Sequence, residues 1–138
     1  LLKVNERNPK EMAVITKAKD LMEHSCKMTA NTNHFPKKYR FSIGARIENI
    51  SIDIYENLVR ANECDINDAA ERRSRYECQK EAIVSCKLLN TMIELAYKLK
   101  TIELEMKSVA YWSGLVVEVK RMTAAWRNSD KRNSSHNG

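Results

Sequence analysis

An all-α fold, specifically an up-down-up-down four-helix bundle, is what this sequence predicts, on three observations. Glycine and proline are scarce, three and two in 138 residues, so few positions break a helix. Apolar residues recur at helical spacing in four separate segments. Short polar links join those segments, and short links make consecutive helices antiparallel neighbours. The expected domain covers residues 1–128, with helices at about 9–31, 39–63, 67–102 and 108–128, and residues 129–138 are expected to form a mobile polar tail.

The first helix is announced by Asn8 as N-cap, Pro9 at the first helical position and Glu11 three residues after the cap. Val14, Ile15, Ala18, Leu21 and Met22 share one arc, with Lys17, Lys19, Asp20, Glu23 and Lys27 elsewhere. The second helix carries two apolar stripes. Ile43, Ile47, Ile50, Ile54 and Leu58 cluster in one direction, while Phe41, Ala45, Ile52, Tyr55 and Val59 point roughly the other way. A helix with two apolar faces is either central in its own domain or sandwiched between its domain and another subunit. With four helices available the second arrangement is expected, which makes Phe41, Ala45, Ile52, Tyr55 and Val59 the candidate oligomer interface.

Asp65 or Asn67 is the expected cap of the third helix, whose first half is polar and arginine-rich. From Ala82 onward its apolar residues cover more than half the circumference, so that half anchors the helix and the first half projects. Ser108 is the expected start of the fourth helix, which lines Val109, Trp112, Leu115, Val116, Val119, Met122 and Trp126 along one side.

No segment reaches the roughly 20 apolar residues that span a bilayer, and no basic-then-apolar leader opens the sequence; a cytoplasmic location is expected. Cys26, Cys64, Cys78 and Cys86 fit no zinc or redox spacing and read as reduced thiols. His24, His34 and His136 make neither HExxH nor ExxH, so neither a metal nor any other cofactor is expected. No nucleophile-base pair, carboxylate cleft or phosphate-cradling glycine loop is recognisable, which argues against an enzyme.

Charge is segregated. Residues 37–46 carry Lys37, Lys38, Arg40 and Arg46 with no acid; residues 72–75 carry Arg72, Arg73 and Arg75; residues 120–132 carry five cations against Asp130. Those three segments hold +11 of a chain whose net charge is +6, which leaves −5 elsewhere. Clustered cations suit phosphate neutralisation, and charge-rich helix faces also serve solubility. The candidate nucleic-acid contacts are Lys37, Lys38, Arg40, Arg46, Arg72, Arg73 and Arg75, with Lys120 and Arg121 next. In "FPKKYRFSIGAR", residues 35–46, three cations stand where a helix start carries partial positive charge, an arrangement that an anion would relieve.

Extended to residues 35–62, "FPKKYRFSIGARIENISIDIYENLVRAN" resembles the signature of the Avd family, the accessory variability determinants of diversity-generating retroelements. The Phe-Pro-Lys entry, Arg-Phe pair, glycine and nearby arginine correspond to Phe35, Pro36, Lys37, Arg40, Phe41, Gly44 and Arg46. A looser likeness continues through "IELAYKLKTI" and "VKRMTAAW"; Ala45 departs from the longer polar residue expected there. The related ribosomal-RNA intervening-sequence proteins share a Phe-Pro entry but follow it with Ser-Ile-Pro and Asn-Ile-Ala-Glu-Gly runs, both missing here. The resemblance to Avd implies a non-catalytic four-helix-bundle protein that assembles as a homopentamer, binds the element's reverse transcriptase together with template RNA, and DNA as a second polyanion, and supports mutagenic cDNA synthesis and retrohoming. The alternatives are an intervening-sequence-type bundle, or a structural oligomer that binds partner proteins through an apolar helix face.

Overall fold

A computed structural model of the chain describes residues 9–99 and 101–137. Asn8, the expected first cap, lies outside the described residues, as do the rest of residues 1–8, Lys100 and Gly138. The described residues form four long helices and no strand. We label them α1 (Pro9–Ala30), α2, α3 (Ala69–Lys98) and α4 (Met106–Asn137). α2 opens as a single turn over Lys37–Tyr39, passes through a π-helical turn over Arg40–Gly44, and continues as α-helix over Ala45–Glu63.

Each helix packs on its neighbours in sequence, and α4 closes the ring against α1. The cross-links give the directions. Thr29 near the end of α1 meets Glu48 early in α2, Trp112 early in α4 meets Ser25 late in α1, and Arg75 early in α3 meets Asp130 late in α4. Neighbours therefore run antiparallel, as an up-down-up-down bundle requires.

The core is built from one stripe per helix: Val14, Ala18 and Leu21; Ile47, Ile50, Ile54 and Leu58; Ala82, Cys86, Leu89 and Ile93; Trp112, Val116, Val119 and Trp126. Interior polar groups are paired at the two tryptophans. The Trp112 indole N–H donates to Ser25 Oγ at 2.9 Å, and the Arg75 guanidinium lies 4.8 Å from the Trp126 ring centre.

The end that carries the α1–α2 and α3–α4 links is stitched shut. Phe35 is fully buried, the Asn31 carbonyl accepts from the His34 and Phe35 amides, and the Glu103 amide donates to the His34 carbonyl at 3.1 Å. His34 Nδ1 lies 2.8 Å from the Glu103 carbonyl, a bond that requires the proton on Nδ1. Gly44 is buried beneath this plug; a methyl group there would meet the Tyr39 carbonyl oxygen at 3.4 Å and Phe35 and Thr29 at 3.8 Å.

α2 opens at Lys37 and α4 at Met106, each two residues before the expected start, Ser108 in the case of α4, and three further boundaries differ from expectation. α3 is capped by Asp68, whose carboxylate accepts from the Glu71 amide at 3.0 Å, because Asp65 is occupied in a turn where its side chain accepts from the Asn67 amide. α3 ends at Lys98 rather than Ile102, since the link turns inward to bury Ile102 and Leu104. α4 runs on to Asn137, well past Asn128, so the expected tail is helical through its described length. Its polar composition hid the reason: Asp130 is buried against Arg75, and Ser134 lies 2.6 Å from the Tyr76 hydroxyl, so polar contacts replace apolar ones.

All four cysteines are unpaired thiols. Burial pushes the Cys86 thiol from 9.0 up to about 12, with Lys120 drawing it slightly back. The unfolded chain therefore ionises this thiol first, so the native state loses relative stability as pH rises from 9.0 toward about 12 and gains nothing from it below 9.0. At pH values about one unit above 9.0 the loss is on the order of 1 kcal/mol. Urea unfolding of the wild type and of Cys86→Ala near pH 8 and pH 10 checks it: the variant should lack this increment.

Candidate nucleic-acid interface

The first basic segment occupies the opening turns of α2. Lys37, Lys38, Arg40 and Arg46 are all exposed. Lys38 Nζ sits 5.5 Å from the Tyr39 ring centre, and among the described residues no carboxylate comes within ion-pair distance of these four cations. Unpaired cations at this density keep their full charge available to an outside anion.

The π turn explains how they are presented. A π turn holds one more residue than an α turn, so the helical wheel is out of register across Arg40–Gly44. Sequence periodicity places Phe41 with Ile52, Tyr55 and Val59; in the structure its exposure differs from theirs. Phe41 is 77% exposed, whereas Ala45, Ile52, Tyr55 and Val59 are half-buried and Tyr55 packs against the core. The companion stripe, Ile47 to Leu58, is fully interior. Most of the second stripe is thus already partly covered within one chain, and Phe41 alone stands in solvent.

The second segment lies at the opposite end of the bundle, where α3 starts. Arg73 is exposed and Arg72 half-buried, with Arg72 Nη1 donating to the Ile66 carbonyl at 3.2 Å. Arg75 is a correction to the expected set. It is 5% exposed, its Nε donates to Asp130 Oδ2 at 2.7 Å and its Nη2 to Asp130 Oδ1 at 3.1 Å, and Gln79 donates to the same carboxylate at 2.8 Å. A guanidinium held bidentate in the interior fastens α4 to α3 and presents no charge to phosphate. Antiparallel packing brings the end of α4 here too, so Lys131 and Arg132 stand exposed at the same end as Arg73.

The third segment divides. Arg121 Nη2 is 2.6 Å from Glu118 Oε1, which holds the guanidinium further above its usual range and the Glu118 carboxyl below its own. Lys120 is half-buried. Both are weaker phosphate candidates than the cations of α2.

Other surface features escaped sequence reading. Tyr111 is 62% exposed over a shallow cleft of about 300 Å³ between α1 and α4, lined by His24, Met28, Lys107 and Ser108. The His24 ring lies edge-on to Tyr111, 5.1 Å between centres, and burial, then Lys27, holds its pKa below 6.5. Val84, Leu88 and Leu95 form an exposed row on α3. The breadth of apolar surface in the second half of that helix was the signal for it. No three His, Cys, Asp or Glu side chains converge to hold a metal among the described residues, and no described helix is long and apolar enough to cross a membrane.

Comparison with protein-family models, with curated proteins and with solved structures returns no match to this chain.

Proposed function

We propose that this chain is a non-catalytic, RNA-binding accessory protein of the Avd type, which joins a reverse transcriptase and its template RNA during mutagenic cDNA synthesis for a diversity-generating retroelement. The observation that carries the reading is the patch at the start of α2: four exposed cations, no acid between residues 35 and 47, and no ion-pair partner among the described residues. Lys37, Arg40 and Arg46 among them also carry the resemblance to the Avd signature. In this reading the chain works in the cytoplasm as a homopentamer with no cofactor, with Ala45, Ile52, Tyr55 and Val59 contributing to subunit contacts. Repetition of the patch around a ring lets individually weak phosphate contacts act together through high effective concentration.

Arg72 and Arg73 supply a second site at the far end of each subunit, and DNA is bound by the same phosphate chemistry. The intervening-sequence-type bundle shares that chemistry without the polymerase. A second reading has its own support: the exposed row Val84, Leu88 and Leu95 favours a structural oligomer that binds partner proteins.

Co-expression with a reverse transcriptase of such an element tests the proposal. Copurification of the two proteins, with cDNA formed only when both are present, is the expected outcome. A polymerase that neither copurifies nor depends on this chain would remove the assignment.

A further inference from the structure

Resting on the RNA-binding reading above, we infer that Phe41 is a stacking platform for an unpaired nucleobase, and that the α2 patch therefore selects single-stranded over double-stranded RNA. Three aromatic residues lie between 35 and 41, and two have evident packing duties: Phe35 is fully buried and Tyr39 packs against the core. Phe41 has none. Its ring is 77% exposed, and the residues around it in sequence, Lys37, Lys38, Arg40 and Ser42, are exposed as well.

The surrounding charge decides what can cover that ring. A protein surface that buried Phe41 would draw Lys37, Lys38 and Arg40 into the contact and, since this chain offers them no carboxylate in place, would have to bring an acid to each; desolvating cations without partners is unfavourable. An unpaired nucleotide meets both needs at once, a flat π face for the ring and a phosphate for the cations. Duplex RNA keeps its base faces stacked inside and can satisfy only the cations. Phe41 lies within the π turn, where the wheel shifts out of register with the half-buried Ala45 and Ile52, and it follows Arg40 directly in sequence.

The test uses the full chain with a single-stranded RNA of roughly ten nucleotides and a blunt duplex of the same length. Phe41→Ala should lower single-strand affinity by about tenfold or more and leave duplex affinity within about twofold, with an unchanged salt slope because no charge is lost. Phe41→Trp should keep single-strand affinity, and its emission should be quenched by the single strand alone; Trp112 and Trp126 are buried and give a constant background. Equal losses on both RNAs, or no loss on either, would overturn the inference. So would a change of assembly state in Phe41→Ala by light scattering, which would make Phe41 a subunit contact, or a Phe41→Trp response to anionic lipid vesicles but not to RNA. A wild-type chain that binds neither RNA would defeat the RNA-binding reading itself, whereas wild-type binding undiminished in Phe41→Ala defeats only the platform.

Discussion

Asp130→Ala is expected to lower the unfolding free energy by about 3–5 kcal/mol, measured by urea denaturation at neutral pH. The carboxylate accepts two hydrogen bonds from Arg75 and one from Gln79, with side-chain exposures of 6% for Arg75 and 12% for Asp130. Removing it leaves a guanidinium in the interior beside Trp126 with the Cys64 carbonyl but no longer the Asp130 charge opposite it, and takes from the Gln79 amide its acceptor. Most of the loss comes from the abandoned charge, not from the worth of the pair. Arg75→Met combined with Asp130→Leu should therefore recover much of the stability that Asp130→Ala loses. α4 should also fray beyond Asn128 in Asp130→Ala, because the Tyr76 and Ser134 hydroxyls are held together only while α4 lies against α3. A loss below about 1 kcal/mol, the level of a surface pair, would mean that water reaches this cluster.

Reversing Lys37, Lys38 and Arg40 to glutamate should weaken binding to single-stranded RNA by about a hundredfold or more at low salt, and reduce the salt slope by about 2. The three side chains are exposed and lack ion-pair partners, so circular dichroism and the unfolding midpoint should hardly move. The matching reversal of Arg72 and Arg73 is expected to have a smaller effect, since Arg72 is half-buried and already bonded to the Ile66 carbonyl. Arg75 cannot serve in such a test, because its reversal would place two carboxylates together in the interior.

These outcomes separate what periodicity could read from what it could not. Four amphipathic segments and their inward residues were legible because burial at 3.6-residue spacing is a local signal: Leu21, Ile54, Ile93 and Trp112 all lie inside as their spacing requires. The π turn was not, since "RFSIG" contains nothing that forbids an ordinary α turn, and one inserted residue shifts the wheel between Phe41 and Ile52. Arg75 was misread for a different reason. In sequence it is one of three arginines in four residues; only its partner, 55 residues away, distinguishes it from Arg73. The same long-range pair explains the helical end of α4, where a segment too polar to fold through apolar burial folds through a buried ion pair and a hydroxyl contact. The patch at Lys37, Lys38 and Arg40 was legible as charge; its exposed aromatic ring became distinct only with the fold.

The decisive measurement is the affinity of the wild-type chain for a short single-stranded RNA between about 50 and 200 mM salt. If the four cations of α2 neutralise phosphates, the logarithm of the affinity should fall linearly with the logarithm of salt, with a slope near −3 from roughly −0.7 per phosphate. That corresponds to a loss of about fiftyfold across the range. An affinity that hardly changes with salt, or no binding at the lowest salt, would contradict phosphate neutralisation as the basis of the proposed function.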